Sequence, residues 1–168
     1  MKRIVLGLAL ALTFAAIPAA QCQPRLIARS AMVKRPLADV YGTLKKYFSQ
    51  PELSRFQLTS FDLGVSKATL VAKMQNIDAQ NWAADAACKV GITEMIYHLD
   101  NGTVTVTVTM EGAGNEATFV SILADFQGTY SLASASSVVP CISTGVLEQQ
   151  LLTVAGAQPA PAATATQG

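Results

Sequence analysis

Residues that usually carry chemistry are scarce in this sequence. Its 168 residues include one His, three Cys and one Trp, and only 14% of them are charged. A Cys/His zinc module needs three or four such ligands, and a disulfide between Cys88 and Cys141 would leave His98 and scattered carboxylates as the main candidates. The formal net charge of +1 provides no basic excess, which argues against nucleic acid as a partner. We therefore predict neither a metal site nor a bound cofactor.

The sequence also has no frame that is typical of a catalytic group. The single His, His98, would need an acid to orient it and a nucleophile beside it. No Ser stands in a G-x-S-x-G frame. Gly112 and Gly114 are followed by no Lys or helix start of a phosphate loop, and they predict a hairpin connection instead. We expect that the protein is not an enzyme and predict no catalytic residue.

The N-terminus has the layout of a secretory signal. Lys2 and Arg3 form a basic start, the run 4–17 is uncharged and apolar, and Pro18 ends it before small residues. A membrane-spanning helix wants about 20 apolar residues, and this run is shorter. Residues 1–22 are therefore predicted to be a signal peptide, and the protein is expected to be periplasmic or secreted.

Cys22 leaves two alternatives for the mature N-terminus. Cleavage by the ordinary peptidase before Gln21 or Gln23 fits the small residues around each site and gives a soluble protein. Lipidation of Cys22 would instead give a bacterial lipoprotein held at a membrane. Gln21 argues against lipidation, because a small residue usually precedes a lipidated Cys. We favour ordinary export and keep the lipoprotein as the alternative.

Two further Cys residues, Cys88 and Cys141, remain after removal of the signal peptide. In an oxidising compartment such a pair is typical of a disulfide, whereas two buried free thiols are the alternative. A bridge between them would close a long loop and stabilise the domain by about 4 kcal/mol in the chain-entropy model.

The mature chain divides into three stretches. Residues 23–35 are basic and are expected to be a lead-in or linker, with a first strand through 26–28 as the alternative. Residues 36–155 are expected to form a single globular domain. Residues 156–168 contain Ala, Pro and Thr but no large apolar side chain, and they predict a disordered tail.

Apolar spacing predicts helices at both ends of the domain. After Pro36, apolar residues recur at helical spacing as far as Phe48. Asp78 is expected to cap a short helix over 79–87. A last helix over 143–154 is expected to turn Val146, Leu147, Leu151 and Val154 inward and Glu148, Gln149 and Gln150 outward.

The clearest strand pattern is the segment 103–110, in which four Thr alternate with three Val and Met110. This period of two predicts valines facing the core and threonines facing solvent. Further strands are expected over 55–62, 67–74, 92–99 and 117–132, the last as one strand or as two with a bend at Gly128.

These elements predict an α+β fold. We expect a curved antiparallel sheet of about five strands, covered on one face by two helices, because one face of the sheet is apolar and needs cover. The topology resembles a helix-grip arrangement, although no sequence motif is shared with such proteins.

Charge is divided unevenly along the mature chain. Every Lys and Arg beyond residue 22 lies before residue 90, and residues 90–168 contain only acidic charges. We expect the two halves to attract each other within the domain. Alternatively, the two halves present different surfaces, one basic with Lys45, Lys46 and Arg55 and one acidic with Glu94, Glu111, Glu116 and Asp125.

Two functions of different classes fit these features. The first is an exported, non-enzymatic cell-envelope or periplasmic protein that acts as a protein-interaction module, with another envelope protein as its partner. The second is a binding protein for an apolar small molecule or lipid held between helix and sheet. Its pocket would be lined by aromatic and Met residues that otherwise form core: Tyr41, Tyr47, Phe48, Trp82, Met95 and Phe119.

Overall fold

A computed structural model describes residues 28–78, 84–88, 99–132 and 135–158. In chain order the elements are β1 (Arg29–Val33), α1 (Leu37–Ser49), β2 (Gln57–Leu63), β3 (Lys67–Ile77), β4 (Ala86–Cys88), β5 (Leu99–Gly112), β6 (Thr118–Leu132), β7 (Ala135–Ser143) and α2 (Val146–Ala155). The strands form one antiparallel sheet with both helices packed on it. The predicted α+β fold is confirmed, with seven strands in the described ranges where about five were expected.

The strands lie in the order β2-β3-β5-β6-β7-β4, and β1 also pairs with β6. β1 and β7 share one edge of β6, because β1 pairs with residues 118–122 and β7 pairs with residues 126–132. The last part of the basic stretch 23–35 therefore belongs to the sheet, as the strand that begins at Arg29. β6 runs through Gly128 without a break, so the single-strand alternative is confirmed.

The Thr/Val alternation of β5 is confirmed. Val104, Val106, Val108 and Met110 are fully buried, while the Thr side chains between them are half-buried or exposed on the outer face. β5 lies between β3 and β6, so its inward residues are surrounded on both sides. Full burial of such a side chain stabilises the fold by about 1.5–3 kcal/mol relative to exposure.

The two helices cover the inner face of the sheet. α1 packs on β2, β3 and β5, α2 packs on β6 and β1, and the helices contact each other. Leu44 and Phe48 of α1 and Leu151 of α2 are at most 1% exposed and form the core together with Leu70 and Ile122 of the sheet. The predicted cover of one face by two helices is therefore correct.

The face that α2 presents to the core differs from the prediction. Leu147 and Leu151 are buried as expected, but Glu148 is completely buried and Val146 is 41% exposed. The buried stripe of α2 is rotated relative to the predicted one. It contains Glu148 and Leu152, which are four residues apart, beside Leu147 and Leu151. Glu148 is thus a buried carboxyl where the sequence predicted a solvated one.

Two strands in the second half of the chain were not predicted. The helix expected over 79–87 is wrong at its end, because Ala86–Cys88 forms β4 and pairs with β7. β7, Ala135–Ser143, lies almost entirely between the strand predicted over 117–132 and the helix predicted over 143–154. Ser143, the expected first residue of that helix, is the last residue of β7, and α2 begins at Val146. Residues 79–83 lie outside the described ranges, as do residues 92–98 of the strand expected over 92–99. The last residue of that expected strand, Leu99, is the first residue of β5.

Several terminal features predicted from the sequence lie outside the described residues. These are the signal peptide 1–22 with Cys22, and residues 159–168 of the tail. The tail was predicted to start at 156, but Ala157 is buried and donates its backbone N–H to Leu152 O at 2.9 Å as part of the end of α2. None of the helices in the described ranges is long and apolar enough to cross a membrane.

Candidate functional site

A cleft opens between the helices and the inner face of the sheet. Its inner cavity has a volume of about 150 Å³. An outer cavity of about 400 Å³ lies beside it, and Arg55, Met74, Asp85 and Leu147 line both. The inner cavity is completed by Ile77, Val104 and Phe126, and the outer cavity by Tyr47, Pro51, Glu52, Leu53, Ser54, Phe56 and Gln150.

The floor of the inner cavity is apolar and belongs to regular elements. Val104 on β5 and Phe126 on β6 are at most 2% exposed and form a cross-strand pair. Met74 lies near the end of β3, where the pairing with β5 shifts before Ile77. Leu147 in the first turn of α2 is 8% exposed. A floor made of strand and helix side chains is held in place by the core behind it.

Arg55 reaches the rim because of the turn that follows α1. Pro51 follows the end of the helix, and the backbone N–H groups of Leu53 and Ser54 donate to Gln50 O. Ser54 Oγ accepts a hydrogen bond from the backbone N–H of Phe56 at 3.1 Å. Ser54 and Phe56 are buried, so the residue between them points outward as an exposed cation.

Asp85 also lines the cleft, and it directly precedes β4. Two kinds of contact hold this segment in position. Thr144, just before α2, donates to Asp85 O from its backbone N–H at 2.8 Å and from its Oγ1 at 3.0 Å. On the other side, the Sγ atoms of Cys88 and Cys141 lie 2.00 Å apart, a disulfide distance, where β4 pairs with β7. The short strand β4 is thereby attached to the sheet directly after Asp85.

The electrostatic environment of Asp85 disfavours its charged form. Partial burial raises the pKa of the Asp85 carboxyl, and the nearby carboxyl group of Glu148 raises it further. Glu148 Oε2 accepts a hydrogen bond from Ser143 Oγ at 2.8 Å. In the described part of the chain, Glu148 Oε1 is buried and has no hydrogen-bond partner. Asp85 therefore lies near a second carboxyl group, that of the fully buried Glu148.

Arg55 and Asp85 line the same cavities but form no ion pair with each other. Among the described residues Arg55 has no acidic partner at all. In the described part of the chain, an ion pair joins the basic and acidic halves on the outer face, where Lys67 Nζ lies 2.7 Å from Glu111 Oε1. That contact agrees with the expected attraction between the halves, although an exposed pair of this kind contributes little stability.

The sequence identified only part of this site. Of the aromatic and Met residues proposed for a pocket, Tyr47 lines the outer cavity, while Tyr41 and Phe48 are core residues. Phe119 is wrong as a pocket residue, because it alternates with buried Val120 and lies 42% exposed on the outer face. Trp82, Met95 and His98 lie outside the described residues.

Arg55, Met74 and Asp85 were not predicted to meet. The turn signal at Pro51 marks a loop around Arg55, but nothing in the sequence indicates which element faces that loop.

Across the described ranges, no group of three or more His, Cys, Asp or Glu side chains could hold a metal ion. Comparison with protein-family models, with curated proteins and with solved structures finds no match to this chain.

Proposed function

We propose that the protein is an exported, non-enzymatic binding protein that holds an apolar small molecule or lipid in the cleft between helix and sheet. The observation that carries this proposal is the inner cavity, whose floor consists of the side chains of Met74, Ile77, Val104, Phe126 and Leu147. Binding sites for small molecules are typically concave, mostly apolar and equipped with a few polar groups, and the inner cavity has each of these properties.

Titration with apolar alcohols tests the cleft as the binding site. Ile77 and Leu58 are both half-buried apolar residues packed against the core, but only Ile77 lines the inner cavity. We expect Ile77→Trp to fill the cavity and abolish binding, whereas Leu58→Trp should bind as the wild type does. Equal affinities of the two variants in isothermal titration calorimetry would place the ligand elsewhere and overturn the proposal.

Export is part of the same proposal. The layout of residues 1–22 supports it, and the paired Cys88 and Cys141 are compatible with an oxidising compartment. Fractionation of wild type and Cys22→Ser tests the two mature forms. A wild type found in the soluble fraction, with its N-terminus at Gln21 or Gln23, supports ordinary export. Movement from the membrane to the soluble fraction in Cys22→Ser would support the lipoprotein instead.

A protein-interaction module is a second candidate, favoured by the edge of the sheet at β2. In the described ranges β2 has a strand neighbour on one side only. Phe61 and Leu63 on β2 are 57% and 47% exposed, and Lys45 Nζ lies 4.0 Å from the centroid of the Phe61 ring. The surface fits an extended segment of an envelope protein that adds a strand, with apolar side chains on Phe61 and Leu63 and an acidic one at Lys45.

Site-specific photo-crosslinking tests this second candidate. A photoreactive residue in place of Leu63 should give a discrete adduct with one envelope protein, and Phe61→Glu should abolish the adduct by placing an acid in the apolar contact. The matched control is the same photoreactive residue at Thr109, which is exposed on the opposite face of the sheet. Adducts of equal yield at both positions would show that β2 is not the docking edge.

A further inference from the structure

The inner cavity is small for a lipid chain. Its volume of about 150 Å³ is comparable to that of cavities that hold a single benzene-sized group. The apolar part of a ligand seated there is therefore a short branched or aromatic group. A long acyl chain would extend through the outer cavity, where Glu52, Ser54 and Gln150 contribute polar lining.

Among the described residues, one cation and one anion line the inner cavity besides its apolar floor. Arg55 presents a planar guanidinium that has no acidic partner among the described residues. Asp85 presents a carboxyl with the buried Glu148 carboxyl near it, an arrangement that favours a positive group in front of Asp85. Within the described ranges neither side chain has an ion-pair partner, and both line the same cavity.

We infer that the ligand is a small zwitterion with an apolar side chain, such as a free apolar α-amino acid. Its carboxylate binds Arg55, its ammonium group binds Asp85, and its side chain fills the inner cavity over Val104 and Phe126. The inference rests on the proposed function, since it names the class of ligand for the same cleft. Charge-assisted hydrogen bonds of this kind supply orientation as well as affinity.

A set of four compounds separates the contributions of the two charges. Leucine carries both charges, isocaproate lacks the ammonium group, isopentylamine lacks the carboxylate, and isopentanol is neutral. Each is titrated calorimetrically into the mature protein with its disulfide intact. We expect leucine to bind best, and removal of either charge to weaken binding by about tenfold or more, because each charge takes part in a charge-assisted hydrogen bond.

Two variants assign each charge to its residue. Arg55→Gln should lower the affinity for leucine to that of isopentylamine and leave the affinity for isopentylamine unchanged. Asp85→Asn should lower it to that of isocaproate and leave the affinity for isocaproate unchanged. Lys46→Gln, an exposed change on α1 away from the cleft, is the matched control and should bind leucine as the wild type does. A single cooperative thermal transition of each variant shows that it is folded.

The outcomes distinguish this inference from the proposed function. No binding of leucine, or equal binding of all four compounds, overturns the zwitterion. If isopentanol then binds and loses its affinity in Ile77→Trp, the apolar cleft remains the binding site. If no compound binds, both the zwitterion and the apolar cleft are wrong.

Discussion

The guanidinium group of Arg29 lies directly against Gly145, in the space that a Cβ atom at residue 145 would occupy. Gly145 precedes α2 and has a φ of +85°, a left-handed conformation that favours glycine. The side chain of Arg29, at the start of β1, therefore contacts the backbone just before α2, where residue 145 has no side chain. The backbone conformation favours glycine at this position, whereas the exposed Arg29 side chain can move aside.

Replacement of this glycine is expected to be destabilising. Gly145→Ala should lower the free energy of unfolding by at least about 1 kcal/mol, because a left-handed conformation alone costs about 1–2 kcal/mol. Gly42, within α1, is the matched control, since an added Cβ there meets no atom within 4 Å. Gly42→Ala should raise stability by about 0.5–1 kcal/mol. A Gly145→Ala variant that is as stable as the wild type or more stable in urea unfolding would contradict the account of Gly145.

The two faces of β5 predict opposite effects for two similar substitutions. Val106 is completely buried, so Val106→Thr should lower the free energy of unfolding by about 1–3 kcal/mol, since its hydroxyl would lack a partner in the core. Thr105 lies half-buried on the outer face, so Thr105→Val should change stability by no more than about 0.5 kcal/mol. Denaturation midpoints that coincide for the two variants would mean that the faces are wrongly assigned.

Loss of the Cys88–Cys141 bridge should destabilise the whole domain. The two residues are 53 positions apart, so the chain-entropy model predicts a loss of about 4 kcal/mol on reduction. Urea unfolding with and without reductant measures this change, and the double variant Cys88→Ser with Cys141→Ser should be insensitive to reductant. Complete alkylation of both thiols in unreduced, exported protein would show that no bridge forms.

The raised pKa of Asp85 predicts how stability varies with pH. Its pKa lies above the ordinary value of 3.8, first because of burial and then because of Glu148. The folded state therefore holds this proton more tightly than the unfolded state does. The free energy of unfolding should fall as pH rises from 3.8 through the folded pKa, and the destabilisation is complete above it.

Asp85→Asn removes this titration. Its free energy of unfolding should vary less with pH across that interval than that of the wild type, and at neutral pH it should be no lower. Asp62→Asn, an exposed change on β2, is the control and should follow the wild-type curve. Parallel curves for Asp85→Asn and the wild type in a pH series of urea unfolding would rule out a raised pKa at Asp85.

Sequence pattern was sufficient where one physical requirement dominated a segment. β5 is a central strand with one buried face, so its Thr/Val alternation determines both its structure and its orientation. In α1 the apolar stripe between Pro36 and Pro51 likewise determines the buried face, which includes Leu44 and Phe48. The buried faces of these two elements were correctly predicted, because the local apolar pattern of each segment alone determines which side chains point into the core.

The cleft could not be predicted, because its walls depend on contacts between distant segments. Ala86 and Ala87 lie in a helix-favouring Ala-rich segment, yet pairing with β7 and the bridge at Cys88 hold them in a strand. The burial of Glu148 depends on packing and on the hydroxyl of Ser143, neither of which leaves a periodic pattern. Only the tertiary structure therefore brings Asp85 and Arg55 to the same cavities.

The pairing of β1 with β6 has a consequence for the order in which the fold assembles. The hydroxyl groups of Ser30 and Ser121, on these two strands, are hydrogen-bonded although they are 91 residues apart in the chain. Synthesis begins at the N-terminus, so β1 is complete long before its partner exists, whereas β2 and β3 can form their hairpin early. β1 therefore stays unpaired until β6 has been made. In a chain truncated before β6, β1 has no strand with which to pair.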